Sequence, residues 1–418
     1  MESLDNTLFV EQISKYETNH IHMYVDGDIE EPISKSSDKT YGKLLHEYIH
    51  YLQHITTLFG IKICEMFNNL FSHNLFYCKE NKTIDIPLNV FDDNAKRFLD
   101  HFNKVKGDRF CNNNISDIEI YESDIEIARQ SHNSVNIGIY DFENNKAIED
   151  GFRFGYYCVI ETMAHLIQSF VDPHAPHNVI PYQSGIIIFE KYLNRKCNLA
   201  KERINIIIIC YCSLFHDNPG VAFFDYLKFV KNNNGIDCIE LYNCLMKYKI
   251  NIKGKQISIK SAFVLFLDRY ENVLKSVIGC DLNYYHNVIK NCKIDFINNR
   301  NLLLEILIDG RICDKETFEN VLAPHYGYPY IEANNTHLIP PYVETAVLRG
   351  LELLMKRLYM YRPNTECPWF RICKSTMYEA DSQVTEECME EQWNKTEECI
   401  MTEAFRYYKL KGKDYVQH

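Results

Sequence analysis

Two histidines four residues apart, the first followed directly by a glutamate, stand at His46-Glu47-Tyr48-Ile49-His50. On a helix this spacing puts both imidazoles on one face, one turn apart, where they can grip a single zinc ion. Glu47 then reaches the water that the metal activates, acts as general base, and passes the proton to a leaving amine. The chemistry expected of this constellation is hydrolysis of an amide bond.

The element that must carry these residues is a helix. From Tyr41 to about Phe59 apolar residues recur at helical spacing, with Leu44, Leu45, Tyr48, Leu52, Ile55 and Leu58 on the buried face. Ser37, Asp38 or Thr40 can cap it, and Gly42 and Gly60 bracket it. His54 continues the histidine spacing but cannot be the third ligand. Residues i and i+8 of a straight helix lie about 12 Å apart along the axis, against zinc–nitrogen bonds of about 2.1 Å. A metzincin bends its chain at a glycine after the second histidine, and here that position is Gln53. His54 is expected to support the site or the core.

The third ligand must come from elsewhere. The segment Tyr157-Cys158-Val159-Ile160-Glu161-Thr162-Met163-Ala164-His165-Leu166-Ile167-Gln168 sets Glu161, Ala164, His165 and Gln168 on one helix face, with Ala164 small enough for close packing. In these two segments the chain resembles the gluzincin branch of the zincin metallopeptidases, whose second motif helix supplies a glutamate. The resemblance implies a zincin-like core, Zn2+ as cofactor, Glu161 as third ligand beside His46 and His50, and a protein or peptide substrate. It leaves His165 as a neighbouring group or substrate contact. Glu65 is the competing carboxylate. An oxyanion also needs a donor. His174, His177 and Tyr182, in and after Asp172-Pro173-His174-Ala175-Pro176-His177-Asn178, are candidates, as is the loop His325-Tyr326-Gly327-Tyr328-Pro329-Tyr330.

The rest of the chain reads as α+β, predominantly helical. Strand signals occur at His22–Val25 and, with period two, at Ile84–Ile86, Ile118–Tyr121 and Val135–Tyr140, where a small irregular sheet is expected. Helical spacing then dominates over roughly 156–171, 185–195, 199–216, 220–233, 237–248, 258–277, 282–293, 298–310 and 341–361. The expected organisation is a zincin-like core over 1–183, a helical domain over 184–361 and a cysteine-containing segment over 362–418. In that last segment Cys367, Cys373, Cys388 and Cys399 are candidate ligands for a second, structural Zn2+, although they lack paired C-x₂-C spacing. Its Cys-Pro-Trp-Phe-Arg-Ile-Cys stretch resembles the tails of bacterial zincin-like proteins.

Composition narrows the function classes. Among 418 residues, 46% are hydrophobic and 24% charged, as in a protein with a large core. A net charge of −12 argues against general nucleic-acid binding, which needs a basic face. The lysines at 247, 249, 253, 255 and 260 read as a solvated helix end and turn. The N-terminus lacks a basic and apolar leader, and the longest apolar run, Ile206–Phe215, is too short to span a bilayer. A cytoplasmic protein with reduced thiols and no membrane partner is expected. Two other functions fit these features: a helical binding or scaffold protein with a structural zinc, and a zinc amidohydrolase of non-peptide substrates.

Overall fold

A computed structural model describes residues 15–17 and 21–359, apart from 87, 89–91, 110–114, 116, 142–145, 253 and 341. Beyond 359 it describes 367, 370, 373, 384–388, 399, 402, 406–410 and 412–417. Two short strands, β1 (Lys15–Glu17) and β2 (His22–Val25), precede two long helices, α1 (Asp38–Thr56) and α2 (Leu58–Glu80). Then come β3 (Thr83–Ile86), α3 (Asp93–Val105), β4 (Asp117–Glu119), α4 (Glu122–Ser131), β5 (Val135–Asp141) and β6 (Lys146–Phe154). A helical stretch follows with α5 (Tyr156–Gln168), α6 (Ser184–Leu193), α7 (Ala200–Ser213), α8 (Pro219–Asn232) and α9 (Cys238–Leu245). After the hairpin β7 (Lys249–Ile252) and β8 (Lys255–Ser258) run α10 (Ile259–Ile278), α11 (Tyr284–Ile297) and α12 (Leu302–Ile308). The last elements are β9 (Tyr330–Ala333), β10 (His337–Leu338), α13 (Val343–Tyr359) and β11 (Asp414–Gln417).

The protein is predominantly helical with small sheets, the α+β class expected. β4, β5 and β6 form an antiparallel meander in which Ile118 faces Ile139 and Ile137 faces Phe152. These four side chains are buried, so the period-two pattern reports one apolar face, as it should. The Ile84–Ile86 strand does not join that meander. It pairs in parallel with β11, Ile84 opposite Tyr415. A second correction concerns the basic cluster: Lys249 and Lys255 lie on a two-stranded hairpin turned at Gly254 (φ +80°), not on a helix end. Lys253 lies outside the described residues.

One apolar cluster extends from Ile21 to Leu348 and includes residues of α1, α5, α7 and α10. The run Ile206–Phe215 forms most of α7 and is at most 3% exposed, a core helix rather than a membrane one. No described helix is long and apolar enough to cross a membrane. A second, smaller cluster joins Phe71 and Leu75 of α2, Ile84, three leucines of α13, Cys367, Cys388, Tyr408 and Leu410. What the fold does for the site is to pack α1 directly against α5 in the larger cluster.

Candidate metal centre

Helix α1 starts where the sequence says it should. The Ser37 side chain accepts the Thr40 amide proton at 3.1 Å, and Asp38 complements the helix dipole in the first turn. The helix stops at Thr56, three residues earlier than its apolar spacing suggests, because Leu58 begins a new helix. There the Phe59 amide bonds to the Leu214 carbonyl at 2.8 Å. From Tyr41 to Thr56 every residue but Lys43 is buried. The polar stripe is therefore as deep as the apolar one: His46, Glu47, His50, Gln53 and His54 are each 7% exposed or less. Burying five polar side chains costs free energy unless they find partners; α5 supplies Glu161 to His46 and His50, the Ile160 carbonyl to Gln53 and the Tyr156 hydroxyl to His54.

Glu161 is central. Its Oε2 lies 3.2 Å from His46 Nε2 and 3.2 Å from His50 Nε2, and the two imidazole rings stand nearly perpendicular, 4.9 Å apart. The three donor atoms fall within 4.8 Å of one another. Ligand atoms of a tetrahedral zinc with bonds near 2.1 Å are separated by about 3.4 Å, so the donor set fits a divalent ion. Among the described residues it is the one group of three or more histidine, cysteine or acidic side chains so arranged. Ala164 is fully buried in the larger apolar cluster.

The charges are strongly coupled. Burial alone would raise Glu161, but His50 and then His46 hold its carboxyl well below the usual range. Burial opposes a charge on His50, yet the Glu161 carboxylate, with help from Glu47, holds that imidazole up at about 9. Glu47 is pushed above the ordinary carboxylate range by burial, against the pull of His46 and His50. A carboxyl so placed is a better base near neutral pH than an exposed one.

No family model, no curated protein and no solved structure matches this chain. The site must therefore be understood from its own residues. Gln53, which takes the metzincin glycine's place, serves His50. Its Oε1 accepts the His50 Nδ1 proton at 2.9 Å, and its Nε2 donates to the Ile160 carbonyl at 3.0 Å. His54 is no ligand. Its Nδ1 donates to the His50 carbonyl at 2.7 Å, and the Tyr156 hydroxyl donates to its Nε2 at 3.0 Å. Burial holds it neutral, at about 3.

The loop after α5 brings two of its three candidates to the site. His177 packs edge-on against His46, with ring centres 5.2 Å apart, and Tyr182 lies 5.8 Å from the same ring. His165 lies tilted against His177, with ring centres 5.0 Å apart. Burial lowers both, His165 to about 4 and His177 to about 3, so both are neutral at physiological pH. The carboxylates of Glu161 and Glu47, together with burial, keep the Tyr182 hydroxyl protonated. His174 is exposed and makes no contact with these rings among the described residues.

Three further candidates lie away from this group. The loop His325–Tyr330 packs against Tyr48 and Tyr51 of α1: Tyr48 donates to the Gly327 carbonyl at 2.7 Å and Tyr51 to the Tyr326 carbonyl at 2.8 Å. His325 itself bonds Asp295 at 2.8 Å. Glu65 is paired with Arg269 on α10. Cys367, Cys373, Cys388 and Cys399 assemble no metal-ligand set among the described residues. They belong to the smaller apolar cluster, where the Cys367 amide donates to the Cys388 carbonyl at 2.8 Å. Buried thiols in such a setting behave as small apolar side chains.

Proposed function

We propose that this chain is a zinc-dependent metallohydrolase of gluzincin-like type that cleaves amide bonds in a peptide or protein substrate. The observation that carries this reading is the convergence of His46 Nε2 and His50 Nε2 on one Glu161 oxygen at 3.2 Å, with Glu47 buried beside them. His46, His50 and Glu161 would hold the ion. When bound, zinc supplies Lewis acidity that polarises the scissile carbonyl and makes water a nucleophile near neutral pH. Glu47 takes a proton as the water oxygen bonds to the carbonyl carbon, then delivers it to the amine as the C–N bond breaks. Tyr182 and His177 stand beside His46 as donors for the oxyanion that develops.

The same two-histidine, one-carboxylate set also suits non-haem iron. The buried glutamate directly after the first ligand favours hydrolysis, because water activation needs a base in reach and oxygen activation does not. A structural metal is the second reading, favoured by the burial of all three ligands below a tenth exposed. Structural zinc takes four protein ligands, and three assemble among the described residues.

The test is metal content by plasma mass spectrometry together with cleavage of a peptide and small-amide library. One zinc in wild type and in Glu47→Gln, none in His50→Ala or Glu161→Ala, and turnover confined to wild type support the hydrolase. Zinc held in that same pattern, with no substrate cut faster by wild type than by Glu47→Gln, turns the reading to a structural metal.

A further inference from the structure

Arg109 sits on the connection between α3 and β4, in a stretch fastened to the start of the glutamate-bearing helix. The Tyr157 amide donates to the Lys106 carbonyl at 2.8 Å, and the Asp108 amide to the Arg153 carbonyl at 2.8 Å. The backbones approach so closely that a Cβ on Gly155 would stand 2.3 Å from the Val105 carbonyl oxygen and 2.6 Å from the Gly107 nitrogen. So anchored, Arg109 lays its guanidinium over the Tyr157 ring, 5.2 Å from the centroid. Tyr157 and Glu161 are four residues apart on α5 and share a face, so the ring that Arg109 covers belongs to the helix turn just before the third ligand.

This cation has no anion of its own among the described residues. The neighbouring carboxylate, Asp108, is committed to Arg153, accepting from its amide at 2.7 Å and its Nε at 2.9 Å. Arg109 Nε is buried and has no hydrogen-bond partner among the described residues. Leaving a buried charged donor unsatisfied costs free energy that a ligand can recover. The Arg109 charge also acts on Glu47 and Tyr182, lowering both against the stronger influences that raise them. A guanidinium backed by an aromatic face keeps its donor edge for a planar, two-oxygen acceptor.

We infer that Arg109 receives a carboxylate of the substrate, so that the site takes amides carrying a carboxylate close to the scissile bond. This rests on the metallohydrolase reading and names its substrate class. Two sources share the chemistry: the free C-terminus of a peptide and an acidic side chain.

The experiment is calorimetric titration of the zinc-loaded Glu47→Gln protein with two hydroxamates of the same four-carbon chain, succinic monohydroxamate and butyrohydroxamate. Only the first has a carboxylate. It is expected to bind about ten- to a hundredfold more tightly, and Arg109→Gln to erase that ratio while Arg109→Lys keeps part of it. Equal affinities in the Arg109-containing protein, or a ratio that survives Arg109→Gln, overturn the inference and leave the metal site standing. Competition then separates the sources, using an N-acetylated tripeptide with a free C-terminus and a peptide amide whose one carboxylate is a glutamate side chain. Displacement by either that depends on Arg109 identifies the source, and displacement by neither counts against the inference. If neither hydroxamate binds, the hydrolase reading has failed. Arg109 is then judged in the metal-free protein by whether succinate shields it from phenylglyoxal, and no shielding overturns the anion site.

Discussion

Gln53 holds His50 in the one orientation that serves a metal. Accepting the Nδ1 proton at 2.9 Å, it turns Nε2 toward Glu161, 3.2 Å away, and its own amide is fixed by the Ile160 carbonyl on the opposite helix. Support of this kind fixes both tautomer and ring rotation of a ligating histidine. Gln53→Ala is expected to weaken metal affinity about ten- to a hundredfold, while Gln53→Glu, which retains the acceptor, loses less. Competition with a chromophoric chelator measures both, and equal affinity in Gln53→Ala and wild type would remove Gln53 from the site.

Glu47 can be separated from the ligands because it is not one of them. Glu47→Gln removes the base with little change of volume, so zinc content should remain that of wild type. Turnover should fall about a hundredfold to ten-thousandfold, the usual contribution of positioned acid–base catalysis. Loss of zinc along with activity would show instead that Glu47 helps to hold the ion.

The contrast between these two residues marks what could be read in the sequence. Glu47, His46 and His50 declare themselves by spacing, and Glu161 through the resemblance of its helix to the second motif helix of the gluzincins. The bounds of β2 and the capping of α1 were legible for the same reason, since both are local. Gln53 and Arg109 were not, because their roles depend on what lies across a helix contact and no periodicity reports that. Neither does it report the pairing of β2 with β9, which sets His22 opposite Tyr330, or of β3 with β11. Helices α3 and α4 were hidden in a stretch whose asparagines and aspartates read as turns, although Asp92 is in fact the cap of α3.

Proton competition should govern metal binding. In the metal-free protein His50 is held at about 9 by Glu161, so at neutral pH the ion must displace a proton. Apparent affinity is then expected to rise about tenfold per pH unit up to about 9 and to level off above it. Stability of the metal-free protein moves the other way. The folded-state value is above the ordinary 6.5, so the contribution of this pair is complete below pH 6.5 and is lost as pH rises through about 9. Thermal melts of metal-free wild type against His50→Gln across pH 6 to 10 test the sign, and a difference that grows with pH would contradict it.

The four C-terminal cysteines give the last prediction, which separates packing from ligation. Cys367 and Cys388 are buried in the smaller apolar cluster, with Cys373 and Cys399 packed against it, and that cluster contains none of the metal ligands. Replacing all four by serine puts hydroxyls where apolar contacts were, at about 1–3 kcal/mol for each one buried without a partner. The cost should fall on this cluster, including the β3–β11 pairing that closes it, and hydrogen exchange at residues 83–86 should quicken. Zinc per chain should stay at one, because α1 and α5 meet in the larger cluster. A fall from two zinc ions to one in the serine variant would instead show that the thiols ligate a metal. A fall from one to none would show that the tail is needed to hold the two ligand helices together.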